Sequence, residues 1–149
     1  MREVFAAQLK DAMKGGDKRR ISTIRLIQAA IKDRDIAART AGKGPVNDEE
    51  IMQILAKMVK QRDESARIYE EANRLELAAQ EREEIEVIKS FLPKQLGEDE
   101  VRQLCAKVIT DVGADGLRDM GKCMAALKER YPGQMDFGKA SGVVKTLLQ

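Results

Sequence analysis

Four cations at seven-residue intervals, Lys18, Arg25, Lys32 and Arg39, are the residues whose type and spacing most resemble a working surface. On a helix, members of such a series drift by only about 20° per step, so the four form one basic ridge several turns long. Two readings are open. The ridge is either a solvated face whose long stems cover the edges of a core, or a row of contacts to phosphates. Arg19 and Arg20 add charge where the ridge begins. Residues 1 to 40 hold ten Lys/Arg against five Asp/Glu, whereas residues 41 to 97 hold nine against twelve, so the net charge of +2 conceals a basic front. An anionic partner for that front is the corresponding expectation.

Other chemistry is harder to assemble. Histidine is absent, which removes the commonest general base and every Ser-His-Asp or Cys-His arrangement. The two cysteines, Cys105 and Cys123, fall within helical patterns and are expected to be buried apolar thiols, so no metal site is expected. Glu81, Glu83, Glu84 and Glu86 could be imagined as paired carboxylates, yet such a run on an amphipathic helix reads as a solvated face. The Gly42, Gly44, Pro45 stretch lacks the order of a phosphate loop. No catalytic residue and no cofactor is expected.

The elements that must carry the ridge are helices. Of 149 residues, 43% are hydrophobic, 35% are charged and only 3% are aromatic, a composition that favours an all-α fold. Val4, Phe5, Leu9, Ala12 and Met13 give the first helix an apolar stripe, which Gly15 and Gly16 end. Asp17 is placed to cap a second helix, about 17 to 40, with Ile21, Ile24, Ile27 and Ile31 as its core stripe. Asn47, followed by Asp48, Glu49 and Glu50, starts a third helix reaching about residue 72, with Glu50 placed to reach back to the cap. A fourth, about 74 to 91, carries Leu75, Ala78, Ile85, Ile88 and Leu92.

Pro93 stops this series, because proline lacks an N–H and disfavours helix at the residue before it. Residues 1 to 93 therefore read as a long-helix bundle, and residues 94 to 149 as a small helical tail subdomain. Phe91, Leu92 and Leu96 are expected to form the apolar joint. Gly97, followed by Glu98, Asp99 and Glu100, suits a new helix start. Three short apolar patterns follow, around Val101 to Val112, Leu117 to Tyr131 and Val143 to Leu148. Gly121 costs helix stability relative to alanine, which suggests a close helix or ligand approach there. No apolar run approaches the 18 or so residues of a membrane span and no signal-peptide segment is evident, so no membrane contact and a cytoplasmic address are expected.

Four segments resemble the YqeY-like, or GatB/YqeY, family. They are Asp17-Lys18 with Ile24-Arg25 and Ala29 to Ile31; Lys60 to Ser65; Asn73 to Glu76 leading into Phe91 to Leu96; and Asp119 to Lys122 with Met124, Gly133 and the Val144 to Leu148 run. The resemblance implies a bundle of longer helices followed by a small helical tail, similar to the tail of the GatB component of the aspartyl/glutamyl-tRNA amidotransferase, which helps hold tRNA. It also brings a carbon–nitrogen ligase label with glutamine as amide donor. No segment here resembles the catalytic body of that component, so no activity is expected of this chain alone.

On that resemblance and the charge pattern together, the leading expectation is a tRNA- or structured-RNA-binding accessory protein. Lys18, Arg19, Arg20, Arg25, Lys57, Lys60 and Arg62 would meet phosphates, with Lys122, Lys139 and Lys145 adding contacts from the tail. Three Phe and two Tyr leave few stacking platforms, so single-strand base readout and DNA specificity are not expected. The alternatives are a protein-interaction module, in which Lys60, Gln61, Arg62 and the Gly121 region form a groove for an amidotransferase or another partner, and an amidotransferase-associated protein with carbon–nitrogen ligase activity that uses glutamine as amide donor.

Overall fold

The computed structural model describes all residues from Met1 to Gln149 and contains helices without strands. Its contacts divide the chain into two compact units, Met1–Leu92 and Pro93–Gln149. The first unit holds α1 (Arg2–Gly15), α2 (Lys18–Thr40), α3 (Asp48–Glu71) and α4 (Leu75–Lys89). The second holds α5 (Glu98–Val112), a short 3-10 turn (Leu117–Asp119), α6 (Met120–Arg130) and α7 (Phe137–Leu148).

Local chemistry sets most of these boundaries. Asp17 accepts a hydrogen bond from the Arg20 N–H at 3.1 Å and Asn47 accepts one from the Glu50 N–H at 2.9 Å, each relieving an unpaired donor at a helix start. The Glu50 side chain makes no return bond, so only half of the expected capping box forms. Gly16 and Gly113 close α1 and α5 at φ of 70° and 67°, a left-handed conformation that glycine adopts without a Cβ penalty. Asn73 takes the same role after α3 at φ 59°, with the Arg74 N–H donating to the Tyr69 carbonyl at 2.7 Å. That is why one long periodic stretch becomes two helices.

In the first unit α3 and α4 form the most extensive helix pair, and α2 packs against both α1 and α4. The core is Phe5, Ile24, Ile27, Ile31, Val46, Ile51, Leu55, Met58 and Ile88, with Phe91 and Leu92 against it. Full burial of each large aliphatic or aromatic member contributes about 1.5 to 3 kcal/mol. The Phe5 and Phe91 rings meet edge to face with centroids 4.9 Å apart. In the second unit Cys105, Val108, Cys123, Leu127, Met135, Ala140 and Val144 form a separate core, against which Leu96 packs. The loop entering this unit is tied down by Gln95, whose amide donates to the Pro93 and Gly133 carbonyls, and by the Leu96 N–H on the Gln134 carbonyl.

Several apolar residues of the expected stripes lie outside these cores. Val4 and Met13 of α1, Leu75 of α4, Leu117 and Leu147 are exposed, and Ile21 is only partly covered. Thr23 takes the buried place on α2, its hydroxyl donating to the Arg19 carbonyl at 2.8 Å. Gly121 is exposed, and a Cβ built on it would meet nothing within 4 Å, so no neighbour in this chain requires a glycine there. No helix is long and apolar enough to cross a membrane.

Candidate nucleic-acid interface

Helix α2 presents its Ile24, Ile27 and Ile31 side to the core, which leaves the opposite arc to solvent. Lys18, Arg25, Lys32 and Arg39 are all exposed there. None of the four takes part in any ion pair of the structure. Lys18 and Arg25 also share an open hollow of about 480 Å³ with Ile21, Ser22 and Leu26.

The neighbouring arginines are placed differently. Arg19 Nε lies 3.2 Å from Glu83 Oε2, and its Nη1 lies 3.5 Å from Glu84 Oε1. From α3, Arg62 Nε donates to the other Glu84 oxygen at 3.0 Å, so one carboxylate on α4 joins three helices. Arg20 donates to Gln8 Oε1 at 2.8 Å and stands 5.4 Å from the centroid of the Phe91 ring, a cation–π geometry. Arg19, Arg20 and Arg62 thus have partners within the fold, whereas Lys57 and Lys60 project from α3 into solvent. Lys57 and Lys60 are about 60° apart around their helix and share a side.

In the second unit Lys122 of α6 and Lys139 and Lys145 of α7 are exposed and free of ion pairs. Six residues separate Lys139 from Lys145, which turns them to directions about 120° apart. The unit's cysteines are buried free thiols, and burial pushes both above the usual thiol range.

One carboxylate is held strongly in its charged form. Asp35 of α2 accepts two hydrogen bonds from the Arg2 guanidinium, both at 2.8 Å, and a third from the Val46 N–H at 3.0 Å. These bonds lower it to about 2. Arg2 also donates to the Val46 carbonyl, so the clamp fastens the start of α1 to the last turns of α2 and the approach to α3. It fixes the end of α2 that carries Lys32 and Arg39.

Sequence reasoning missed the apolar component of this surface. Leu26 and Ile36 are exposed on α2 beside the ridge, and assigning Ile21 to the core stripe hides the hollow that it lines with Leu26. The seven-residue recurrence of Ser22, Ala29 and Ile36 alongside the cations is the signal that could have found it.

An all-α chain in two helical units, with a free basic ridge on the second helix of the longer unit, defines the class. The family of Yqey-like proteins matches residues 2–148, and the chain belongs to that family, the GatB/YqeY-like domain. Among individual relatives, "Altered inheritance of mitochondria protein 41, mitochondrial" of Clavispora lusitaniae is 27% identical over 143 residues, covering 94% of this chain and 80% of the relative. A protein of the same name in Pyrenophora tritici-repentis is 28% identical over 130 residues, covering 83% of this chain and 69% of the relative.

Proposed function

We propose that this chain is a non-catalytic accessory protein that binds structured RNA, tRNA foremost, through the exposed side of α2. The observation that carries the reading is selective pairing. Arg19 and Arg62 are neutralised by α4, while Lys18, Arg25, Lys32 and Arg39 keep their charge for an outside anion. Seven helical residues span about 10.5 Å, so the four cations sample phosphates over roughly 30 Å without needing any base contact. Lys57 and Lys60 are further exposed cations of the first unit, and Lys122, Lys139 and Lys145 are those the second unit offers by itself. Few aromatics favour backbone and shape recognition over stacking. The glutamine-dependent carbon–nitrogen ligase activity attached to the family is not part of this reading.

Anisotropy titration of labelled tRNA with the full chain, repeated over a series of salt concentrations, tests it. Binding that weakens steeply with salt and weakens further in Arg25→Glu is expected. Absence of binding at low salt overturns it, and release of ammonia from glutamine by the pure protein would overturn the non-catalytic part. A cytoplasmic address stays with the proposal, and the mitochondrial names of the two relatives add the mitochondrion as the other address to test.

A further inference from the structure

The exposed side of α2 carries more than charge. Ser22, Ala29 and Ile36 recur every seven residues, each four residues after Lys18, Arg25 and Lys32. Cations and small or apolar side chains therefore alternate at spacings of four and three from Lys18 to Arg39, which sets a cationic edge beside a strip of small and apolar side chains on one arc of the helix. Leu26 flanks this seam at 45% exposure and Ile36 lies in it at 51%. Between Lys18 and Arg25 the seam opens into the hollow lined by Ile21, Ser22 and Leu26. A phosphate backbone would use the cations and leave these apolar groups in contact with water. A helix with an apolar stripe between carboxylates would use both.

We infer that the Lys18 to Arg39 side of α2 docks an acidic amphipathic helix of a partner protein. A leucine-like anchor of that helix rests in the open hollow over Ile21 and Leu26, a second covers Ala29 and Ile36, and flanking carboxylates pair with Lys18, Arg25, Lys32 and Arg39. Charge complementarity selects the occupant. Lys18, Arg25 and Lys32 have no carboxylate partner, Arg39 neighbours Asp35, which Arg2 already holds, and Asp33 is the exposed acid beside them, so a basic or neutral helix meets repulsion or leaves the cations unmatched. A second copy of this chain would bring Glu81 and Glu86 of α4, but Glu83 and Glu84 between them are already paired with Arg19 and Arg62, which breaks its acidic face. The helix and an RNA would use the same four cations and so compete for this face; they differ at Leu26, which only the helix covers.

The probe is a labelled synthetic helix of about 20 residues, long enough to cover the seam, with leucines at alternating three- and four-residue spacing and glutamates beside them. Saturable one-to-one binding to the full chain is expected, weakened about tenfold in Leu26→Ser and by a similar factor in Arg25→Glu. Leu26 is exposed, so circular dichroism and the thermal midpoint of Leu26→Ser should match the parent. Labelled tRNA measured in parallel should lose affinity in Arg25→Glu alone. The inference is overturned if Leu26→Ser leaves peptide binding unchanged or if a scrambled peptide of the same composition binds equally well. It is also overturned if Leu26→Ser weakens tRNA binding as much as peptide binding, or if it dissociates a self-associated form of the chain.

Discussion

Arg62 donates from Nε to Oε2 of Glu84 at 3.0 Å, with the two side chains only 16% and 12% exposed. Taking one partner away leaves the other charged and poorly solvated, which costs more than the pair contributes when intact. Glu84→Ala should therefore destabilise the first unit by about 2 kcal/mol, allowing for its partial exposure. In urea unfolding followed by circular dichroism, the midpoint should fall with the slope unchanged. The double variant Arg62→Met with Glu84→Leu should recover most of the loss, because neither charge is then left alone.

Asp35 carries the main pH dependence expected of the Arg2 clamp. Its pKa falls from 3.8 to about 2 on folding, so its stabilising contribution is complete above pH 3.8 and disappears as pH falls through about 2. Asp35→Asn should lower the thermal midpoint at neutral pH. Melts taken between pH 5 and 2 should show the gap between parent and variant closing across that window. A gap that stays constant down to pH 2 would contradict the clamp.

Glycines of the second unit should respond to alanine with opposite signs. Gly142 lies inside α7, and a Cβ there meets nothing within 4 Å, so Gly142→Ala should stabilise by about 0.5 to 1 kcal/mol through helix propensity. Gly113 ends α5 at φ 67°, where Gly113→Ala should destabilise by about 1 kcal/mol despite equally open space. Thermal or denaturant melts of the two variants give the comparison directly.

Cys105 and Cys123 are fully covered, and burial disfavours their thiolates. A thiol-specific disulfide reagent should label neither in the native protein near neutral pH and both once denaturant is added. Fast native labelling of either would show that the second core opens readily.

The RNA reading makes a graded prediction. Replacing Lys18, Arg25 or Lys32 singly by glutamine should reduce the dependence of log affinity on log salt by about one unit each, and should weaken binding to unrelated RNAs alike. Arg62→Gln should leave that slope unchanged, because its guanidinium already belongs to Glu84.

What the sequence determined alone was local. Asp17 and Asn47 announce helix starts, Gly15 and Gly16 announce the end of α1, and the apolar period around Ile24, Ile27 and Ile31 marks the inner arc of α2. These features depend on groups within a turn or two of one another. The seven-residue period likewise placed Lys18, Arg25, Lys32 and Arg39 on one arc of a helix. It could not decide which cations remain free, because the carboxylates that claim Arg19 and Arg62 lie 64 and 22 residues away in sequence. It could not tell which apolar residues stay outside a core either. Val4, Met13 and Ile21 fit a stripe by periodicity, but coverage depends on where neighbouring helices run. Tertiary packing thus turned an even row of basic residues into two groups, one that holds the helices together and one left facing outward beside Leu26 and Ile36.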